Sequence, residues 1–179
     1  MSSIAELLND ALGQWTLAPD RSTFEFRNKT MWGAMTVKGR FAEVRGEGQV
    51  TEAGAVSGRI DIIAASLHTG IGKRDEHLRS ADFFDVEKFP EVSVIVSAAD
   101  PADGDAVDLH ADIVIKGTSH PLPLHAAVAV LEDEAVRVST RTSVDREELG
   151  VSGNLFGILV GATGLCADAV FVRTHRRNA

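Results

Sequence analysis

Hydrophobic and polar residues alternate along most of the chain. In FEFRN, Phe24 and Phe26 flank a charged residue, and MTVKGRF alternates from Met35 to Phe41 in the same way. Five further segments repeat the pattern: AVSGRIDIIAA, VDLHADIVIKG, PLPLHAAVAVLE, AVRVSTRTSVD and the run from Leu165 to Phe171. Because successive side chains of a strand point to opposite faces, each segment is predicted to be a strand with one buried face. The Gly, Pro, Asp and Asn residues between them are typical of turns, so the pattern predicts an antiparallel sheet.

The first residues follow a different period. Ser3 can cap a helix, Glu6 stands three residues later as in a capping box, and Gly13 can end the helix. Its apolar side chains recur at helical spacing: Ile4, Leu7, Leu8, Ala11 and Leu12. We expect an amphipathic helix over residues 1–13, packed on the main body or on a partner. One β-domain over 14–173 and a basic, disordered tail over 174–179 are expected to follow.

About eight strands in one domain would leave two exposed edges, and closing the sheet removes both. We therefore predict an all-β protein with a closed antiparallel barrel, with two packed sheets as the alternative. Many inward positions carry small residues: Gly39, Gly58, Ala64, Ala111, Ala126, Thr140, Thr142, Ala167 and Ala169. Native interiors contain few large voids, so a wall of small residues indicates room for a ligand. Alternatively, aromatic side chains from loops fill that room.

The composition excludes several partners. The chain has 179 residues and a net charge of −8, so one domain is expected and nonspecific nucleic-acid binding is not. No apolar stretch approaches the roughly 20 residues of a membrane span, so stable membrane insertion is not expected. MSSIAELLNDALGQW has neither a basic start nor an unbroken apolar run, which favours a cytoplasmic location.

The segment GKRDEHLRSADFFDVEKFP concentrates charged residues and a histidine. Asp75 and His77 are two positions apart and would point to different sides of a helix, so they do not form a catalytic pair there. Asp75 and Arg79 are four residues apart, as are Lys73 and His77, which is typical of a charged surface helix. The histidines are scattered and no HExxH motif is present, so no metal site, catalytic residue or cofactor is predicted.

Aromatic and apolar residues are concentrated in two connections. Phe83, Phe84 and Phe89 follow the charged segment and end at a proline, as expected of a lid over an apolar interior. GVSGNLFGILVGATG is rich in glycine and apolar residues, but it lacks the spacing of a phosphate-binding loop.

The central segment resembles the signature of the YceI-like family, a helix carrying RDxHL followed by an aromatic dFFdvekyP. WTLAPDRSTFEF, IDIIAASLHTG and ADIVIKGTSHPLPL are similar to other strands of the family, and the resemblance covers about residues 14–172. It implies a lipocalin-like barrel with a short helix after the strand that ends near residue 67. It also implies an apolar channel that holds a polyisoprenoid, and it favours a homodimer.

The resemblance assigns roles to particular residues. Arg74, Asp75, His77 and Leu78 would lock the helix against the barrel, and Arg146 would anchor a buried polar network. Phe83, Phe84 and Phe89 would belong to the channel or its lid. The candidate ligand-binding residues are Phe24, Phe26, Trp32, Met35, Phe41, Ile60, Ile62, Phe83, Phe84, Val138 and Phe156. Thr30 stands where many relatives carry histidine, which leaves the head group of the ligand undefined, and Leu149 replaces a common aromatic residue.

Three functions are compatible with this sequence. The first is a carrier that sequesters an isoprenoid or similar amphiphilic lipid without chemistry. The second is an enzyme acting on a small apolar substrate, with Arg74 or His77 brought by folding to Asp145 or Arg146. The third is a structural or partner-binding barrel with no ligand. The first two differ in one observable respect, because an enzyme requires those polar groups to open onto the cavity.

Overall fold

The computed structural model describes residues 4–30, 35–151 and 159–174. The helices are α1 (Ile4–Asp10) and α2 (Gly72–Arg79). The strands are β1 (Gly13–Leu17), β2 (Thr23–Thr30), β3 (Thr36–Phe41), β4 (Val44–Val50), β5 (Val56–Ile63), β6 (Leu67–His68), β7 (Glu91–Pro101), β8 (Ala106–Ile115), β9 (Thr118–Pro121), β10 (Leu124–Val130), β11 (Val136–Val144) and β12 (Leu159–Arg173). Short 3-10 turns follow β1 and β5. Within the described residues, no helix has the length and apolar character needed to cross a bilayer.

The strands close into an antiparallel barrel. Neighbours follow the order β1-β4-β5-β7-β8-β10-β11-β12, and β12 returns to pair with β1, where Trp15 lies opposite Arg173. Closure leaves the main ring without the free edges that promote aggregation. The prediction of a closed barrel of about eight antiparallel strands is confirmed, and the alternative of two packed sheets is wrong.

Two positions of the barrel wall are each built from two consecutive strands. β1 and β2 both pair with β12. β1 pairs with the last residues of β12, and β2 pairs with its earlier residues. Likewise β4 pairs with β1 and β3 pairs with β2. The interruptions fall at the 3-10 turn Pro19–Arg21 and at residues 42–43. The wall therefore keeps eight positions, while the short strands β6 and β9 add to β3 and β8.

Helix α1 covers one end of the barrel. Ile4 is buried against Val107 and Ala126, with Leu7 and Leu8 packed beside it. These contacts lie near the β7–β8 and β10–β11 hairpins, so we call this the α1 end. The sequence predicted a helix here that packs on the main body or on a partner, and α1 packs on its own barrel. Ser3, the expected cap, lies outside the described residues.

Helix α2 and the loop after it cover the other end, which we call the α2 end. Leu78 and Phe83 pack into the main core, which at this end includes Ile62, Val92 and Ile115. Phe83 is among the largest fully buried side chains of the protein. Apolar side chains from both helices thus meet the inner face of the sheet from opposite ends.

Candidate ligand-binding site

The barrel encloses a cavity of about 350 Å³ between the two helices. Its wall is almost entirely apolar and includes side chains from α1, from the loop after α2 and from the inner face of the sheet. The volume falls within the range of roughly 300–1,000 Å³ that is usual for small-molecule sites. The sequence left open whether the interior is hollow or filled by aromatic side chains, and the aromatic residues line the space without filling it.

The structure places most of the candidate lining residues on this wall. They are Phe24, Phe26, Phe41, Ile60, Ile62, Phe83, Phe84 and Val138. Trp32 and Phe156 lie outside the described residues. Met35 is 66% exposed and does not belong to the described wall, because β3 begins at Thr36 and the strand alternation does not extend to Met35. That any of these residues contacts a ligand stays a prediction.

Aromatic rings form a connected group from the sheet to the loop after α2. The centroids of Phe26 and Phe41 are 5.5 Å apart, and Phe41 meets Phe84 edge to face at 6.0 Å. Phe83 makes a similar edge contact, at 5.1 Å, with the imidazole of His77. Phe89 differs: it does not belong to the described wall and packs near Gly117 at the β8–β9 turn. Phe89 therefore does not line the described channel, and its expected place in the lid stays a prediction.

Small residues form another part of the wall, on β11 and β12. Thr140 and Thr142 of β11 lie beside Ala167 and Ala169 of β12, with Thr140 directly opposite Ala167. Of the other small residues expected inside, Gly58 also lines the cavity. Gly39 lies beneath the ring of Phe26, and Ala126 is buried in the α1 contact.

The charged residues of α2 bond to the strand before it. Asp75 is 4% exposed, and its Oδ1 accepts hydrogen bonds from the Thr69 backbone amide, at 3.0 Å, and from the Thr69 hydroxyl. Arg74 donates to the Thr69 hydroxyl and to the Thr69 carbonyl oxygen, each at 2.9 Å. The imidazole of His68 lies 3.4 Å from Asp75 Oδ2. These bonds hold the start of α2 against the segment after β6.

The end of α2 is held in the same way. Arg79 donates to the carbonyl oxygens of Ala65, at 2.9 Å, and Leu67, at 2.8 Å. Asp75 and Arg79 were expected to face each other across one helical turn. Instead, each bonds to backbone groups of the segment before α2, which need hydrogen-bond partners. The side chain of Leu78, from the same helix, lines the cavity, whereas Arg74, Asp75 and His77 do not belong to the described wall.

Arg146 lies on the cavity wall, where its guanidinium donates to the carbonyl oxygen of Val151 at 2.9 Å. This bond spans the turn after β11, next to the buried Leu149. Arg146 is thus the residue of the proposed catalytic set that reaches the cavity, and neither Arg74 nor His77 joins it on the described wall.

A buried polar pair, which was not among the candidate residues, interrupts the apolar wall. Asn28 of β2 is 6% exposed and Thr163 of β12 is 8% exposed, and both line the cavity. The Thr163 hydroxyl donates to Asn28 Oδ1 at 3.0 Å, whereas Asn28 Nδ2 has no hydrogen-bond partner among the described residues. The alternation of FEFRN contained a signal, since it places Asn28 on the face of Phe24 and Phe26.

Helix α1 also supplies wall residues that were not among the candidates. Ile4, Leu7 and Leu8 of α1 line the cavity at the α1 end, as does Ala11 just after the helix. The position of the helix is fixed by bonds from the barrel: Trp15 Nε1 donates to the Ala11 carbonyl at 2.7 Å, and Arg173 donates to the Leu12 carbonyl at 2.6 Å. The helical period identified the apolar face of α1, but not the surface that this face covers.

The outer face of the barrel carries its own charged group around Asp61 of β5. Burial raises the pKa of Asp61, but hydrogen bonds from Ser93 and Arg59 and the charges of Arg59 and Arg45 outweigh it. The pKa of this carboxyl therefore lies below its ordinary value. Ser93 donates at 2.6 Å and Arg59 at 2.8 Å, both to Asp61 Oδ1. Asp61 and Ser93 do not belong to the described cavity wall, and their hydrogen bond links β5 to β7.

Known structures with similar folds include Burkholderia cenocepacia BcnA, with a TM-score of 0.77 and 18% identity, over 86% of this chain and 98% of that one. A polyisoprenoid binding domain from Saccharophagus degradans, implicated in plant cell wall breakdown, gives a TM-score of 0.74 and 17% identity, over 89% and 98% of the two chains. At these identities the likeness shows the fold alone.

Sequence comparison gives a shorter match and a longer one. Protein YceI of Escherichia coli O157:H7 is 36% identical over 67 residues, which are 37% of this chain and 35% of that protein. The match thus spans about a third of the length of such curated relatives. The family model of the YceI-like domain matches residues 15–175, nearly the whole chain. The resemblance noted from the sequence is confirmed, and the chain belongs to the YceI-like family.

Proposed function

We propose that this protein binds a long-chain isoprenoid, or a similar amphiphilic lipid, in the barrel cavity and carries it without chemical change. The observation that carries the proposal is the apolar cavity that runs between α1 and α2. Burying an apolar chain there would contribute about 0.8 kcal/mol for each methylene group, before the cost of association is subtracted. Family membership and the polyisoprenoid binding domain with the same fold support this class of ligand.

The wall is long enough for an extended chain. Along β12 the wall residues run from Thr163 to Phe171, a distance of about 27 Å at roughly 3.4 Å per strand residue. The strands of small barrels tilt by about 40°, so the axial length is roughly 20 Å. A narrow, apolar space of this length suits a linear lipid better than a compact substrate.

We propose binding over catalysis because of where the polar groups lie. Arg74 and Asp75 bond to Thr69, and Arg146 bonds to the turn that follows β11. These side chains hold backbone segments in place, which is a fastening role. Homodimer formation and a cytoplasmic location, both expected from the sequence, stay predictions; sedimentation velocity and fractionation of cells that produce the native gene would test them.

The test is lipid content. Organic extraction of the purified protein, followed by mass spectrometry, should release an isoprenoid lipid in near-stoichiometric amount. The delipidated protein should retain added geranylgeraniol through gel filtration. The variant Ala167→Phe places a ring inside the cavity and should lose most of both signals, whereas Ala129→Phe, on the exposed face of β10, should keep them. A wild-type protein that neither releases lipid nor retains geranylgeraniol would contradict the proposal.

A further inference from the structure

We propose that Asn28 is a head-group subsite inside the cavity, and that it binds a neutral hydrogen-bond acceptor, such as a carbonyl oxygen, at one end of the apolar ligand. This inference rests on the proposed function, because it requires an apolar chain in the cavity. It adds the chemical class of the head group and the end of the barrel at which that group lies.

The carboxamide of Asn28 is buried but only half used. Asn28 is 6% exposed, and its Nδ2 lacks a hydrogen-bond partner. Among the described residues, no other buried side-chain nitrogen or oxygen lacks one. Buried polar groups are normally hydrogen-bonded, so an exception on the wall of a cavity needs an explanation. A ligand acceptor in the cavity would provide the missing partner.

Thr163 fixes which half of the carboxamide remains free. Its hydroxyl donates to Asn28 Oδ1 at 3.0 Å, which occupies the acceptor and leaves the amino group of the side chain as the available donor. Thr163 is itself 8% exposed and lies on the same wall. Thr163 is therefore a positioning residue for Asn28, and the group that complements the pair on a ligand is an acceptor.

The surroundings favour a neutral acceptor over an anion. Asn28 lies opposite Val37 in the sheet, and Phe26 and Leu165 are close by on the cavity wall. A carboxylate beside these apolar side chains would lose its hydration, and the single donor that Asn28 offers would not compensate that loss. A carbonyl oxygen loses much less on leaving water, and one good hydrogen bond compensates it.

The position of Asn28 also sets the direction of the ligand. Asn28 lies one inward step beyond Phe26 towards the α2 end, because its partner Val37 comes earlier in β3 than Gly39, the partner of Phe26. The head group would therefore lie below α2 and its aromatic loop. The apolar chain would extend past Ala167 and Ala169 towards α1.

The experiment compares three probes that share a chain length: 2-undecanone, undecane and undecanoate. Delipidated full-length protein is loaded with N-phenyl-1-naphthylamine, and displacement of this dye by each probe gives its affinity. The affinity for 2-undecanone relative to undecane should be about tenfold higher in the wild type than in Asn28→Leu, which keeps the volume but removes the donor of one buried hydrogen bond. The variant should retain its undecane affinity.

Two further variants keep the test decisive if Asn28→Leu does not fold. Thr163→Val removes the positioning hydroxyl and should reduce the relative affinity for the ketone several-fold, whereas Thr23→Val removes a hydroxyl from the exposed outer face of β2 and should leave it unchanged. The same relative affinity for ketone and alkane in the wild type and in Asn28→Leu would overturn the inference but not the proposed function. Tighter binding of undecanoate than of 2-undecanone, or an unchanged preference in Thr163→Val, would also overturn it. If none of the probes displaces the dye, the inference and the proposed function both fail.

Discussion

The ring of Phe26 lies directly over Gly39 on the neighbouring strand. A Cβ atom added to Gly39 would come within 2.1 Å of Phe26 Cζ, and two further ring atoms would be within 2.8 Å. Glycine at position 39 thus gives the ring its place on the wall, and the ring in turn joins Phe41 and Phe84. The aromatic side of the cavity depends on a residue that contributes no side chain.

Gly39→Ala should force the Phe26 ring into the cavity and strain the wall. Overpacking of this kind costs about 1–3 kcal/mol, which urea unfolding would measure as a loss in the free energy of unfolding. Gly39→Ala combined with Phe26→Leu should recover part of that loss, because the shorter side chain can yield. Gly72→Ala is the control, since a Cβ there meets open space. A Gly39→Ala protein as stable as the wild type would contradict the packing described.

Asp75→Ala should weaken the attachment of α2. Thr69 would lose the buried acceptor of its backbone amide, and Arg74, which donates to Thr69, would be held less firmly. We expect a cost of about 2–4 kcal/mol in the free energy of unfolding. Hydrogen exchange should accelerate first in residues 69–79. Asp82→Ala removes a carboxylate that is 75% exposed and 3.6 Å from His77, and should cost less than about 0.5 kcal/mol. Similar losses in the two variants would refute the fastening role.

Stability should depend on the ionisation of Asp61. Its pKa in the folded protein lies below the ordinary carboxyl value, so its stabilising effect is complete above that value and is lost as the pH falls through the lowered pKa. The difference in unfolding free energy between wild type and Asp61→Asn should therefore be largest near neutral pH and shrink in acid, measured between about pH 6 and pH 2. Ser93→Ala, which removes a bond to Asp61, should show a smaller difference of the same sign. A difference that does not change with pH would disprove this assignment.

Ile4→Asp should release α1 from the barrel. Ile4 is 5% exposed against Val107 and Ala126, and a buried, unpaired carboxylate there is strongly unfavourable. Amide protection should fall in residues 4–11 while the strands of the barrel keep theirs, because the main core does not include this contact. Ala5→Asp places the same charge on the exposed side of the first turn and should leave exchange unchanged. Loss of protection throughout the barrel in Ile4→Asp would contradict this division.

The alternation of the sequence identified the strands whose two faces differ most. It gave a weak signal for β4, because its inward positions include Gly46 and Gly48, and for β7, where Ile95 makes the outward face apolar as well. Glycines and two-sided apolar strands hide the period of two on which the prediction depends. Closure of the barrel could be predicted from the sequence because unpaired strand edges are unfavourable. The division of one wall position between β1 and β2 could not.

The parts of the candidate site that lie on a single strand could be predicted from the sequence. Phe24, Phe26, Ile60 and Ile62 followed from alternation, and they line the cavity. The pair of Asn28 and Thr163 did not follow, because 135 positions separate the two residues and only the closed ring brings them together. Neither did the hydrogen bonds of Asp75, since a helical period describes contacts within the helix and not those with the strand before it.

The pairing of Trp15 with Arg173 also constrains biosynthesis. Translation delivers the first wall strand long before its partner, so the nascent chain has an unclosed sheet until the final strand leaves the ribosome. Every earlier stage exposes the apolar inner face and two unpaired edges, and the long-range contacts that close the ring make folding slow. Chaperone demand should therefore peak just before synthesis of this domain ends.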